Sequence, residues 1–186
     1  MRYLPLLDAA QQRAFDHPPK WTAAQRKLYC SLPDWATQVL GRLVTPHSRG
    51  GFVLQVAYFQ ATGRFFSTDR FRAADGAYVQ QRYRLGAVEW VRYDKATRFH
   101  HRQLILQQFG VAPFEQIEAA VRVQVTHFAR QQMNPVAVFR TAVDTLRARR
   151  WELPTYAALA GVVTDAFRAV EQQLTTQLAA LLTPAV

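Results

Sequence analysis

The sequence predicts an all-α fold, a compact multi-helix bundle with a helix-turn-helix-like sub-module near its C-terminal end. Three observations predict it. Apolar residues recur at spacings of three and four along most of the chain, the period of a helix with one inward face. Cap residues, prolines and glycines punctuate those runs where helices start and stop. No stretch alternates apolar and polar residues with the period of two that a half-buried strand needs.

The chain opens with a short amphipathic stretch over residues 7–15, stopped by Asp16-His17-Pro18-Pro19 because a residue before proline is pushed out of the helical region. Thr22 and Gln25 have capping-box spacing, and Leu28, Tyr29 and Leu32 supply an inward face. Pro33-Asp34 restarts a helix through Val44 that carries Trp35, Val39, Leu40 and Leu43 on one side. Residues 48–62 form the mast of the bundle: Phe52, Val53, Leu54, Val56 and Phe59 cover so much of the helix that it must be surrounded, and Gly63 caps it. Ser67 or Thr68 caps the next piece, with an interruption expected between Gly76 and Leu85 and an end at Gly86.

Asp94 opens a helix that closes on Gly110. On it Lys95, Arg98 and Arg102 stand three and four apart and share a face, where like charges repel unless an anion or solvent relieves them. A helix over residues 113–132 turns Ile117, Ala120, Val121, Val125 and Phe128 inward. Asn134-Pro135 is a cap followed by proline at the first helical position and starts a helix to Arg150, with Val138, Phe139, Val143 and Leu146 inward. Leu153-Pro154-Thr155 starts the last helix, which runs to Leu182 with Leu159, Val163, Phe167, Val170, Leu174, Leu178 and Leu181 at heptad-like spacing. These elements divide into a helical domain over 1–132 and a helical hairpin over 133–186 that packs on it or opens a further module.

Charge is distributed unevenly. The formal net charge is +10, and between Arg49 and Arg102 ten basic residues meet four acidic ones. Such a segment suits a polyanion, nucleic acid before an anionic membrane surface, and the excess of arginine over lysine favours planar contacts to phosphate and guanine. Arginine enrichment also follows from a GC-rich genome. Cys30 is the single cysteine, so neither an internal disulfide nor a thiolate metal cluster can form. No apolar run is long enough to span a bilayer and the N-terminal stretch lacks a signal-peptide core, so a cytoplasmic protein is expected, and binding to nucleic acid would make it nucleoid-associated.

Catalytic patterns are missing. Five histidines stand at 17, 47, 100, 101 and 127 without a ligand cluster, and adjacent His100 and His101 point to different sides of a helix. Gly50-Gly51 lacks P-loop spacing, Ser31, Ser48, Ser67 and Cys30 lack a nucleophile's local context, and Asp69, Asp75, Glu89 and Asp94 read as caps and ion-pair partners. No metal, no cofactor and no active site are expected.

Several runs, taken in order, resemble a known family: FDHPP from Phe15, RKLYCSLP from Arg26, the Thr45-Pro46 pair, RGGFVLQVAYFQATGRFF from Arg49, Phe71 with Asp75, Tyr78 and Val79, YDKATRFHHRQLILQQFG from Tyr93, and LPTYAAL from Leu153. Together they are similar to the N-terminal region of the large transposases of Tn-three-family (class II) replicative transposons. The resemblance implies a helical part that binds the terminal inverted repeats, with strand chemistry in a separate C-terminal domain of a several-fold longer protein. Two departures stand out: Arg102 and Gln103 replace an acidic residue that many members carry after the second histidine, and Val111-Ala112 replaces a basic residue after Gly110.

The expected function is therefore sequence-specific binding of double-stranded DNA without catalysis. Arg98, His101, Arg102 and Gln103 are assigned to base edges, since arginine reads guanine and glutamine reads adenine through paired bonds. Arg49, Arg64, Arg70, Arg72, Arg82, Arg84 and Lys95 are assigned to phosphates. The alternative is an assembly module, in which the stripe from Leu159 to Leu181 holds another transposase domain or a second copy.

Overall fold

The computed structural model describes residues 4–132 and 134–182. Residues 1–3, 133 and 183–186, which include the junction of the two expected domains and the chain tail, lie outside the described residues. In chain order the helices are α1 (Ala9–Asp16), α2 (Ala23–Tyr29), α3 (Asp34–Arg42), α4 (Pro46–Thr62), α5 (Ala73–Arg82), α6 (Lys95–Phe109), α7 (Phe114–Gln131), α8 (Pro135–Ala148) and α9 (Tyr156–Leu182). No strand occurs among the described residues, and the all-α class holds.

The described residues form two compact units: Asp16–Pro113, and residues 4–15 with 114–182. The sequence places the boundary at 132, but α7 packs on α8 and α9, so the division falls ahead of α7.

In the Asp16–Pro113 unit, α2, α3, α5 and α6 pack around α4. Thr45 caps α4 by accepting from the Ser48 N–H at 3.3 Å, and Pro46 takes the first turn, so the helix begins two residues ahead of the expected start. Gly63 ends it in the left-handed conformation at φ 70°, as the sequence suggests. Every residue from Gly50 to Phe59 is buried, which makes α4 the mast in fact. Its glycines allow close approach: a Cβ on Gly51 would fall 2.4 Å from the Tyr93 ring. Gly76 acts in the same way. Helix α5 passes through Gly76, whose missing side chain leaves room for the Trp90 ring that a Cβ would meet at 2.9 Å, and the interruption expected between Gly76 and Leu85 falls after Arg82, where the helix stops and Arg84 turns left-handed at φ 51°.

A buried polar network fixes this unit. Asp75, fully buried, accepts from Arg26 Nε at 2.7 Å and from the Tyr58 hydroxyl at 2.9 Å, while Tyr58 accepts from the Arg72 N–H at 3.3 Å. Such a network is stable only when each member is satisfied. Leu28 departs from its expected inward place and is exposed; Tyr29 and Leu32 of the same segment do pack on the core. The Thr22–Gln25 capping box is formed as expected.

The second unit is built by ordinary apolar packing. Ile117, Val121, Val125 and Ala129 of α7 are buried, as are Val138, Phe139, Ala142, Val143 and Leu146 of α8 and Leu159, Val163 and Val170 of α9. Ala120 faces solvent instead. Asn134 caps α8 by accepting from the Val136 and Ala137 N–H groups. Phe15 joins Phe139 and Tyr156 in a ring cluster with centroids 5.6–6.4 Å apart. After Val170 the helix changes character: residues 171–181 are all exposed, Leu174, Leu178 and Leu181 among them. No helix among the described residues is long and apolar enough to cross a membrane.

Candidate nucleic-acid interface

Helix α6 is organised by its two ends and its buried side. Asp94 caps it by accepting from the Thr97 N–H at 2.7 Å, and Gly110 closes it in the left-handed conformation. Inward it sets His101, Ile105 and Leu106, with the Phe52 ring edge-on to the His101 ring at 5.1 Å. On another face stand Lys95, Arg98, Phe99 and Arg102, spaced so that one stripe carries all four.

That stripe borders an open cleft of about 250 Å³ whose far wall is the segment after Gly63: Phe65, Phe66 and Ser67, with Gln55 at the base. The wall is held from behind. The Gln55 amide donates to the Phe66 carbonyl at 2.7 Å and its oxygen accepts from the Phe66 N–H at 3.3 Å. Phe65 stacks on Phe59 at 4.7 Å, and the Arg102 guanidinium lies 6.0 Å from the Phe65 centroid. Arg98 Nε is buried and has no hydrogen-bond partner among the described residues.

Two carboxylates bear on this cationic group. The Ser67 hydroxyl first, and the charges of Arg70 and Arg98 after it, hold the Asp69 carboxyl below its usual range. The Thr97 N–H first, and Arg98 with it, does the same for Asp94. Both acids are thus ionised at neutral pH. Three cations against two carboxylates leave the cleft positive.

The structure separates the eleven residues assigned to DNA from the sequence. Lys95, Arg98 and Arg102 come together on the cleft. His101 does not join them: it is 2% exposed and hydrogen-bonded through Nδ1 to the Tyr93 hydroxyl at 2.8 Å, so it cannot reach a base edge. Burial, with the neighbouring His100 adding to it, lowers the His101 pKa to about 4, so the ring is neutral at physiological pH. Gln103 is half-buried beside Arg102 and outside the cleft lining.

Three arginines assigned to phosphates are engaged within the fold instead. Arg64 is buried and pairs with the Asp16 carboxylate at 2.7 Å. Arg70 donates to the Asp16 carbonyl at 2.6 Å, and Arg72 Nε donates to the Pro18 and Pro19 carbonyls at 2.7 and 2.9 Å. The Asp16-His17-Pro18-Pro19 segment lies outside regular helix beyond Asp16, so its carbonyls need donors, and these guanidinium groups supply them. Arg82 and Arg84 stand exposed at the C-terminal end of α5, Arg84 in the left-handed conformation at φ 51°. Arg49 is half-buried in the first turns of α4, with its Nε buried and without a hydrogen-bond partner among the described residues.

Phe99, Phe65 and Ser67 have no place among the residues assigned from the sequence. Phe99 was findable, being four residues after Lys95 and three before Arg102, hence on the same stripe. Phe65 and Ser67 reach the cleft only through tertiary folding. Burial, followed by the nearby Asp75 carboxylate, pushes the Cys30 thiol up to about 12, so it holds no thiolate at neutral pH. Groups of three or more potential metal ligands are absent among the described residues.

Comparison with known proteins adds a family. No curated protein matches the chain. One family model does, the domain of unknown function DUF4158, over residues 6–166, a span that takes in most of both units and stops short of the exposed end of α9. The chain therefore belongs to the DUF4158 family.

Proposed function

We propose that the chain binds double-stranded DNA through the α6 stripe, without catalysing strand chemistry itself. The observation that carries this reading is the convergence of Lys95, Arg98 and Arg102 on one open cleft, where like charges gain from an anion. A formal net charge of +10 supplies the long-range attraction. Arg98 and Arg102 are suited to guanine or phosphate through the fork of the guanidinium, and Lys95 to phosphate as a point charge. Arg49, Arg82 and Arg84 extend the phosphate-binding set. The resemblance to replicative transposases directs the proposal further: the target is the terminal inverted repeat, the chain works beside a catalytic region elsewhere, and it operates at the nucleoid in the cytoplasm.

Fluorescence anisotropy with a terminal-repeat duplex and a scrambled duplex, each across a salt series, tests this. With Arg64, Arg70 and Arg72 engaged inside the fold, Arg49, Arg82, Arg84, Lys95, Arg98 and Arg102 remain for the backbone, so about six neutralised phosphates are expected and log K should fall against log salt with a slope of about −5.4. Equal affinity for both duplexes defeats the sequence-specific part. A slope near zero defeats the whole.

A second reading rests on α9. Leu174, Leu178 and Leu181 are 47%, 59% and 82% exposed, a stripe suited to another transposase segment or a second copy of the chain. Sedimentation separates the readings, since a salt-insensitive dimer indifferent to DNA would favour assembly.

A further inference from the structure

Phe99 is 60% exposed on the same stripe as three cations, and a duplex gives it little to do. Stacked base pairs present edges and phosphates to a protein, whereas a flat aromatic ring is matched by the face of a base that has left the stack. The cleft holds both halves of what one nucleotide requires. Lys95, Arg98 and Arg102 surround space for a phosphate, and Phe99 and Phe65 offer apolar ring surface next to it. The wall is rigid before any ligand arrives, through the Gln55 clamp on Phe66 and the stacking of Phe65 on Phe59, so little ordering opposes binding.

We infer that this cleft accepts an unpaired nucleotide of a DNA strand, with the phosphate held by Lys95, Arg98 and Arg102 and the base stacked on Phe99. The inference deepens the DNA-binding reading and rests on it for the identity of the polymer. It adds a single-strand site that the duplex reading does not need. Ser67 stands at the wall of the cleft.

The test uses the full chain and a short labelled single-stranded oligonucleotide, read by anisotropy, beside the same oligonucleotide with abasic residues that keep every phosphate. The intact strand should bind roughly tenfold more tightly than the abasic one, the effect of one stacked base. Phe99→Ala should erase that ratio and Phe99→Trp should keep it. Since Phe99 is mostly exposed, thermal unfolding of both variants should match the parent. Inorganic phosphate in the millimolar range should compete weakly.

Absence of single-strand binding, equal affinity for intact and abasic strands, or a ratio that survives Phe99→Ala overturns the inference. So does full competition by inorganic phosphate, which would make the cleft a plain anion site. Failure of the duplex reading is separately visible. A chain that prefers the intact strand but ignores terminal-repeat duplex keeps this site and loses the other, and the converse result does the opposite.

Discussion

Arg64, Arg70 and Arg72 form one cationic cluster along the chain, and Lys95, Arg98 and Arg102 form another, yet the fold uses them in opposite ways. The first cluster meets the Asp16 carboxylate and the carbonyls of Asp16, Pro18 and Pro19, acceptors brought to it from some fifty residues away in sequence. The second lies along one helical stripe whose own carbonyls are already bonded within α6, and it lines the open cleft. The comparison teaches that charge density along a chain does not assign a role. What assigns it is whether buried acceptors are within reach, because an unbonded carbonyl in an interior costs about as much as a lost hydrogen bond.

The contrast can be broken most forcefully at Arg64. Arg64→Ala removes the 2.7 Å ion pair to Asp16 together with a buried guanidinium and should cost about 3 kcal/mol in urea unfolding, while the folded protein keeps its DNA affinity. A stable variant with weakened DNA binding would place Arg64 among the outward residues after all.

His101 offers a comparable effect through pH. Its folded pKa, about 4, lies below the ordinary value of 6.5, so the unfolded chain takes up a proton that the fold refuses. Stability should therefore be complete above pH 6.5 and fall by about 3 kcal/mol as the pH drops towards 4. Unfolding followed across that window checks it, and His101→Gln should flatten the slope. Asp94 and Asp69, whose carboxyls lie below their usual range, add stability that is lost only at lower pH, as each depressed value is passed.

The outward cluster should behave conversely. Replacing Arg98 and Arg102 together by alanine should weaken duplex binding by roughly tenfold or more and flatten the salt slope by about 1.8, with unfolding changed by less than about 1 kcal/mol. Loss of stability without loss of affinity would transfer these residues to the structural class. The smallest effect sharpens the contrast from the inward side. Arg70→Ala removes one charge-assisted bond to a carbonyl and should cost about 1 kcal/mol in unfolding, with the salt slope unchanged.

Much of the fold was legible because helix ends are written locally. Thr22 with Gln25, Asn134 with Pro135, Asp94, Gly63 and Gly110 each cap as their chemistry suggests, since a cap needs only residues three or four positions away. Gly76 is less legible for the opposite reason: glycine can interrupt a helix or make room for a neighbour, and the Trp90 ring packed on it comes from a different segment, while the expected interruption falls later in the window, after Arg82. The candidate site divides along the same line. Lys95, Arg98 and Arg102 are readable as a stripe, and Phe99 could have been added to it. His101 is misjudged from the sequence because its exposure depends on Tyr93 and Phe52, which local periodicity does not bring to it.

By itself the sequence determined the helical class, the buried mast and the alignment of three cations on one helix, because period, caps and composition act over a few residues. Only the tertiary structure decided which guanidinium groups turn inward and that phenylalanines stand beside the outward ones. It also placed α7 with α8 and α9. Those outcomes depend on acceptors and ring surfaces from segments far apart in the chain, whose meeting no local pattern records.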